Sequence, residues 1–160
     1  MFTNLQSVFV RAAIGVVLAA GALAADANAA PLDPGTAAAE ARNWSMRNGQ
    51  LIKRTWGVEV VGVRLTSSNW MLRFQYRVID PEKARVLLDA KSTAYLVDEA
   101  SGARLAVPAM ENIGDLRQVT QAKAGREYFI QFGNGSQVVQ KGSKVDVVIG
   151  GFHADGLVVQ

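Results

Sequence analysis

The clearest alternation of apolar and polar side chains in the chain runs from Asn69 to Asp80. One face of this stretch carries Trp70, Leu72, Phe74, Tyr76 and Val78, and the other carries Met71, Arg73, Gln75 and Arg77. Alternation of this kind is typical of a strand in an antiparallel sheet that buries one face and exposes the other to water. The stretch therefore predicts a strand with a solvated, partly basic face.

The segment Trp56–Thr66 alternates in the same way and predicts a preceding strand. Its apolar face would carry Val61, Val63 and Leu65, and its other face Val60, Gly62 and Arg64. A tight connection at Ser67-Ser68 would set Leu65 opposite Trp70 and Val63 opposite Leu72. This register makes the two apolar faces coincide, as a hairpin with one buried side requires.

The rest of the chain predicts further short elements. Asp80 and Pro81 are placed to begin a helical turn that carries Ala84, Leu87 and Leu88. The expected strands cover residues 93–98, 104–107, 117–121, 127–132, 144–149 and 157–159, with loops at 109–116 and 151–156. Turn signals at this spacing favour an all-β fold, an immunoglobulin-like antiparallel β-sandwich of about seven strands.

The N-terminal segment has a different composition. An apolar run, Ile14–Ala25, follows Arg11 and ends near the small residues Ala27 and Ala29. This pattern predicts a secretory signal peptide over residues 1–29, cleaved after Ala29, since the run is shorter than the roughly 20 residues of a membrane-spanning helix. Its Ala-rich character points to a bacterial protein of the periplasm or the medium, which would contact the membrane only during export.

Residues 30–54 predict either an N-terminal arm or a short helix, and residues 55–160 the sandwich domain. Asp33 is a plausible helix cap with Pro34 at the first helical position. Ala37, Ala41 and Trp44 would share one face, and Asn48-Gly49 would end the helix.

Composition narrows the chemistry. The chain has 49% hydrophobic residues and no cysteine, so its core must stabilise it without disulfides, and thiolate chemistry is excluded. The net charge of +3, with no basic run interleaved with aromatic residues, argues against nucleic acid as a partner. No cofactor motif is present, and we predict no cofactor.

Three segments carry a resemblance to known proteins: Tyr76–Ala84 (YRVIDPEKA), Ala94–Glu99 (AYLVDE) and Lys141–Gly150 (KGSKVDVVIG). They resemble a group of uncharacterised small exported bacterial β-sandwich proteins. The likeness spans residues 56–160 and implies the sandwich fold. It implies no activity and no site residues.

The candidate binding residues are Arg64, Arg73 and Arg77, which the predicted hairpin brings to one solvated face. Such a face suits an acidic partner protein or an anionic surface. Trp44 and Trp56 fall outside or at the edge of the strand pattern and are the candidate exposed aromatic residues. Together these residues indicate a non-enzymatic binding or accessory module that acts by surface recognition.

Two other functions remain open. His153, the only histidine, could join Met110 or Met71 in a soft copper site, since imidazole and thioether suit that metal, and the protein would then be a small periplasmic copper carrier. A hydrolase would have to recruit His153 with Asp155, but no sequence motif places a nucleophile beside them.

The leader yields the first prediction. When the full chain is expressed in a bacterium, we expect the exported protein to begin at Ala30, because Ala27 and Ala29 are the small residues that a signal peptidase reads. N-terminal sequencing and intact mass of the periplasmic fraction measure this. Ala29→Gln should block the cleavage, and an exported chain that keeps residues 1–29 would contradict the prediction.

Overall fold

The computed structural model describes residues 33–110 and 114–160, so the predicted leader over residues 1–29 lies outside the described residues. Within the described ranges the chain forms one long helix, α1 (Pro34–Trp56), and one short helix, α2 (Arg85–Leu88). The strands, in chain order, are β1 (Val58–Thr66), β2 (Met71–Val78), β3 (Ala94–Asp98), β4 (Arg104–Ala106), β5 (Ala109–Met110), β6 (Gly114–Asp115), β7 (Glu127–Gly133), β8 (Lys144–Ile149) and β9 (Phe152–Val158).

Seven of these strands form two antiparallel sheets. The first sheet has the order β1-β2-β7 and the second the order β4-β3-β8-β9, while β5 and β6 form a separate ribbon. The mostly β architecture is consistent with the predicted β-sandwich. The two sheets also meet along one seam, where Val63 of β1 pairs in parallel with Val159 and the Gln160 N–H donates to the Val63 carbonyl (3.0 Å).

Aromatic residues fill the core between the sheets. Phe74 and Tyr76 of the first sheet are fully buried, and the Phe74 ring lies 6.1 Å from the ring of Phe152 in the second sheet. Phe152 also meets Trp56 of α1 edge-on at 5.8 Å. The inner face predicted for β2 is therefore correct from Leu72 to Val78.

Helix α1 begins where the sequence predicted and ends later. The Asp33 carboxylate accepts hydrogen bonds from the N–H groups of Gly35 (2.9 Å) and Thr36 (3.1 Å). The predicted end at Asn48-Gly49 is wrong, because Ile52 and Trp56 continue the buried stripe and outweigh the poor helix propensity of asparagine and glycine. Within the described residues, no helix is both long and apolar enough to cross a membrane.

The first hairpin differs from its prediction in the turn and in the register. Its turn has four residues, Ser67–Trp70, rather than two, so Leu65 pairs with Leu72 and Val63 with Phe74. Trp70 consequently lies in the turn and is 55% exposed, and its predicted position on the buried face is wrong.

A β-bulge also reverses the faces at the start of β1. The partners change from Val60↔Tyr76 to Gly62↔Gln75, which leaves Val61 as an extra residue. Val60 is therefore buried and Val61 is exposed, the reverse of the prediction.

Several later predictions are correct and others fail. The turn after Asp80 forms, with the Asp80 carboxylate accepting from the Glu82 N–H (3.1 Å), and β3, β4, β7 and β8 lie where expected. The strand expected over 117–121 shrinks to one bridge between Arg117 and Ile130. The loop expected over 109–116 contains β5 and β6, and the loop expected over 151–156 is most of β9, which follows a tight turn at Gly150-Gly151.

Gly57 joins the end of α1 to the sheet. Its φ is +64°, its N–H donates to the Lys53 carbonyl (3.1 Å), and its carbonyl accepts from the N–H groups of Ile79 (2.7 Å) and Asp80 (2.9 Å). A Cβ atom added here would lie 2.6 Å from the Asp80 carbonyl oxygen. Only glycine fits both the left-handed conformation and this close approach.

We therefore expect Gly57→Ala to lower the free energy of unfolding more than Gly102→Ala. Gly102 also has a positive φ, +70°, but an added Cβ there meets nothing within 4 Å, so this control isolates the backbone cost of about 1–2 kcal/mol. The clash at Gly57 should add roughly 1–3 kcal/mol. Urea unfolding measures both variants, and equal losses would show that the contact with Asp80 does not matter.

Candidate functional site

The three predicted arginines lie on the outer face of the first sheet, but their surroundings differ. Arg77 is paired with Glu127 (2.5 Å) and with Glu59 (3.5 Å), and Glu59 also binds Lys53 (3.0 Å). The hydrogen bond that Arg77 donates to Glu127, together with the negative charge of Glu127, raises the pKa of Arg77 above its usual value. Arg77 is thus neutralised by its neighbours, which leaves Arg64 and Arg73 as the basic part of this face.

Arg64 and Arg73, hereafter the arginine pair, are direct cross-strand partners in β1 and β2. Like charges in this position repel each other and destabilise a sheet. Among the described residues, neither has a carboxylate oxygen within the 4.0 Å of an ion pair. The arginine pair is therefore a concentration of positive charge without an ion-pair partner among the described residues.

Phe129 of β7 supports one member of the arginine pair. The Arg73 guanidinium lies 4.7 Å from the centre of the half-buried Phe129 ring, a cation–π contact that holds the side chain against the sheet. The Arg73 Nε atom is buried and has no hydrogen-bond partner among the described residues. Arg64, by contrast, is exposed. The pair therefore combines one guanidinium anchored on Phe129 with one exposed arginine on the neighbouring strand.

The expectation that Trp44 and Trp56 are exposed is wrong. Trp44 is only 4% exposed, and its Nε1–H donates to the Asp155 carbonyl (2.6 Å). Trp56 is half-buried against Phe152. Both residues lie on the side of α1 that packs against β1 and β9. The predicted helix ended at Asn48-Gly49, so it did not include Trp56.

The exposed tryptophan is instead Trp70, which the alternation pattern had assigned to the core. The Trp70 carbonyl accepts from the Asn134 N–H (2.8 Å), and the Asn134 side chain donates to the carbonyls of Asn69 (2.8 Å) and Val139 (2.9 Å). Asn134 is itself 1% exposed. The residues Ser67-Ser68-Asn69 favour a turn, and a turn that includes Asn69 begins the strand after Trp70. This composition is the one sequence signal that could have placed Trp70 outside the strand.

The candidate metal ligands are distributed over different parts of the fold. His153 is exposed on the outer face of β9, opposite Val148, whereas Met71 lies at the start of β2 in the other sheet. Met110 belongs to β5, and its side chain lies outside the described part of the structure. His153 and Met71 therefore do not meet, and within the described ranges no group of three histidine or acidic side chains could hold a metal ion.

A small group of carboxylates surrounds Glu99, which follows β3. Partial burial and the nearby Asp146, through its charge and its hydrogen bond, raise the pKa of Glu99, and Lys144 opposes this effect. Asp146 in turn accepts a hydrogen bond from the Gly156 N–H (2.8 Å). The Glu99 carboxyl thus holds its proton more tightly in the folded protein than in the unfolded chain.

We expect Glu99→Gln to raise the unfolding midpoint near neutral pH. A raised folded-state pKa gives stability that is present below the unfolded pKa and lost as pH rises through the folded pKa, so the ionised carboxylate opposes folding. Urea unfolding between about pH 4 and pH 7 should show the gain at the upper end and none at the lower. Glu82→Gln, which removes an exposed glutamate paired with Arg85 (2.7 Å), is the control, and the same gain there would contradict this account.

Comparison with known proteins gives no relative for this chain. No protein-family model matches it, and no curated protein and no solved structure matches it significantly.

Proposed function

We propose that this protein is an exported, non-enzymatic binding module that recognises an acidic partner protein through the outer face of its first sheet. The observation that carries the proposal is the arginine pair, two arginines that are direct cross-strand partners and that form no ion pair with any described residue. An anionic side chain seated between them would remove their mutual repulsion. Guanidinium groups bind carboxylates with paired hydrogen bonds, which gives such a contact its specificity.

The shape of this surface favours a macromolecular partner. The arginine pair lies on a three-stranded sheet with Gln75 and Gln131 alongside, which is an open face rather than a closed pocket. Charged residues on such a face increase the rate of encounter and select partners by charge complementarity. The Glu59–Arg77–Glu127 group beside the pair would repel an acidic partner that docks in the wrong position.

Export rests on the predicted leader. An exported protein without cysteine keeps its fold through its buried apolar residues, and the aromatic core described above supplies them. The periplasm or the medium is the proposed location, and the resemblance to small exported bacterial sandwich proteins stays a prediction alongside it.

We also infer the immunoglobulin-like type from the order of the strands. If β5 and β6 are left out, the first sheet joins the first, second and fifth strands, and the second joins the fourth, third, sixth and seventh. An immunoglobulin constant domain joins the first, second, fifth and fourth strands in one sheet and the third, sixth and seventh in the other. The two arrangements differ only in the fourth strand, β4, which lies at the edge of the second sheet here and at the edge of the first sheet in the constant domain. Such folds host many functions, so the proposed activity rests on the surface rather than on the fold.

The proposal predicts that Arg64→Gln separates binding from stability. The substitution relieves the repulsion with Arg73, so we expect the free energy of unfolding to rise by about 0.2–1 kcal/mol. It also removes the accessible guanidinium, so binding of the purified protein to immobilised polyglutamate, a probe for an acidic protein surface, should weaken several-fold. Urea unfolding and surface plasmon resonance at several salt concentrations measure the two effects.

Arg104→Gln is the matched control for that variant. Arg104 stacks on Tyr95 at 3.9 Å in the second sheet, so the change removes the same charge from the other sheet. It should leave polyglutamate binding nearly unchanged. If the two variants bind equally weakly, the interaction follows net charge and the arginine pair is not the recognition site.

A further inference from the structure

The cleft at one end of the sandwich has the features of a ligand site separate from the arginine pair. Its lining comes from four places: Leu65 near the end of β1, the Ser67–Trp70 turn, the connection from β7 to β8, and Gln160, which follows β9. Its polar lining consists of Asn69, Gln137, Gln140, Lys141 and Gln160, and we call it the end cleft. Its volume is about 510 Å³, within the range of small-molecule sites, roughly 300–1,000 Å³.

The backbone around the end cleft is held in an unusual conformation. Ser67, Ser68, Asn69 and Gln137 have φ angles of 52°, 53°, 69° and 50°, and they are all of the non-glycine residues with positive φ in the described ranges. Two of the four, Asn69 and Gln137, line the cleft. Non-glycine residues in the left-handed region cost free energy and cluster where a binding surface needs a fixed shape.

Asn134 fixes this shape from below the surface. Its buried side chain donates to Asn69 and Val139 on two sides of the end cleft and accepts from the Val139 N–H (3.2 Å). The β1–β2 turn and the β7–β8 connection are therefore tied together by one residue. A cleft preorganised in this way loses little conformational freedom when a ligand binds.

The side chains around the cleft select a class of ligand. Four of the lining residues carry a carboxamide, and each carboxamide offers two N–H donors and a carbonyl acceptor. None of the described lining residues has a carboxylate side chain. Uncharged groups that both donate and accept match the hydroxyls of a sugar, which do the same. The cleft lacks the concentrated positive charge that a phosphate or a nucleic acid would require.

Trp70 supplies the second element of such a site. It follows the cleft residue Asn69 directly and is 55% exposed, and its carbonyl is held by Asn134. An exposed indole offers a flat apolar surface with a polar edge, which can stack on the C–H face of a pyranose ring. Leu65 and Val139 add apolar surface to the lining of the cleft itself.

An extended peptide fits this place less well. A peptide that adds to a sheet needs an edge strand with free backbone groups. Next to the end cleft, β1 already pairs with β2 on one side, and on the other its Leu65 N–H donates to the Gln160 carbonyl (3.3 Å). The recognition must therefore come from side chains, which favours hydroxyl groups over a peptide backbone.

We propose that the end cleft binds a neutral oligosaccharide, with Trp70 stacking on one sugar ring and Asn69, Gln137 and Gln140 bonding to hydroxyl groups. This goes beyond the proposed recognition of an acidic protein and uses a different surface. It would make the protein a two-site module that holds a glycan at one end and an acidic partner on the sheet face.

The test is a titration of the purified exported protein with cello-, malto- and chito-oligosaccharides. Calorimetry and tryptophan fluorescence measure the binding. At least one series should bind with a dissociation constant of about 1 mM or tighter. Trp70→Ala should weaken that binding roughly tenfold, and Gln140→Ala by a smaller factor, because a stacking contact contributes more than one exposed hydrogen bond. Both residues are exposed, so the variants should fold, as their unfolding midpoints will show.

Leu51→Ala on α1 is the control for loss of an exposed apolar residue (62% exposed), and Arg64→Gln the control for the sheet face. Neither should change sugar binding. Binding of none of the three series at millimolar concentration overturns the proposal, and so does binding that Trp70→Ala leaves intact. Binding of an oligoalanine peptide in place of every sugar also overturns it and would reassign the cleft to peptides.

Discussion

The packing of Phe152 against Trp56 and Phe74 is the contact on which the rest of the structure depends. Phe152 is fully buried, and it joins the second sheet to the first sheet and to α1 at once. Because the chain has no cysteine, no covalent link can replace this contact. Removing a buried aromatic side chain costs about 3–5 kcal/mol, a large part of the 5–15 kcal/mol that stabilises a typical domain. The seam between β1 and the residues after β9, and with it the end cleft, depends on the sheets being held at this distance.

The sequence predicted the buried faces well wherever the strand alternation is regular. Leu72, Phe74, Tyr76 and Val78 are all fully buried, because a period of two with one apolar face leaves a single orientation for the strand. The prediction of faces failed where β1 has an extra residue, at Val61, and where the turn Ser67–Trp70 takes Trp70 out of β2. The bulge at Val61 reverses the faces at the start of β1, and the apolar pattern reveals neither the bulge nor the four-residue turn, for which Ser67-Ser68-Asn69 is the only local signal.

The candidate site was less predictable because its electrostatics are non-local. The alternation alone placed three arginines on one face, and that part is correct. Glu127, which neutralises Arg77, lies 50 residues away along the chain, and only the pairing of β2 with β7 brings the two together. Trp44 was misplaced for the same kind of reason, since its hydrogen-bond partner Asp155 lies 111 residues away. Local patterns identify faces, but tertiary pairing decides which charged or aromatic residues on a face remain available.

The bulge at Val61 links these observations. Before the bulge, the register of β1 and β2 places Val60 opposite Tyr76. If that register continued without a bulge, Arg64 would lie opposite Leu72, on the buried face. The extra residue moves every later position by one, so that Arg64 turns outward and meets Arg73, while Leu65 takes the place opposite Leu72. Bulges are frequent next to functional sites because they redirect side chains in this way. The arginine pair is therefore a consequence of a single inserted residue, Val61, which is itself left exposed. The same shift sets the register of the hairpin whose turn forms one wall of the end cleft.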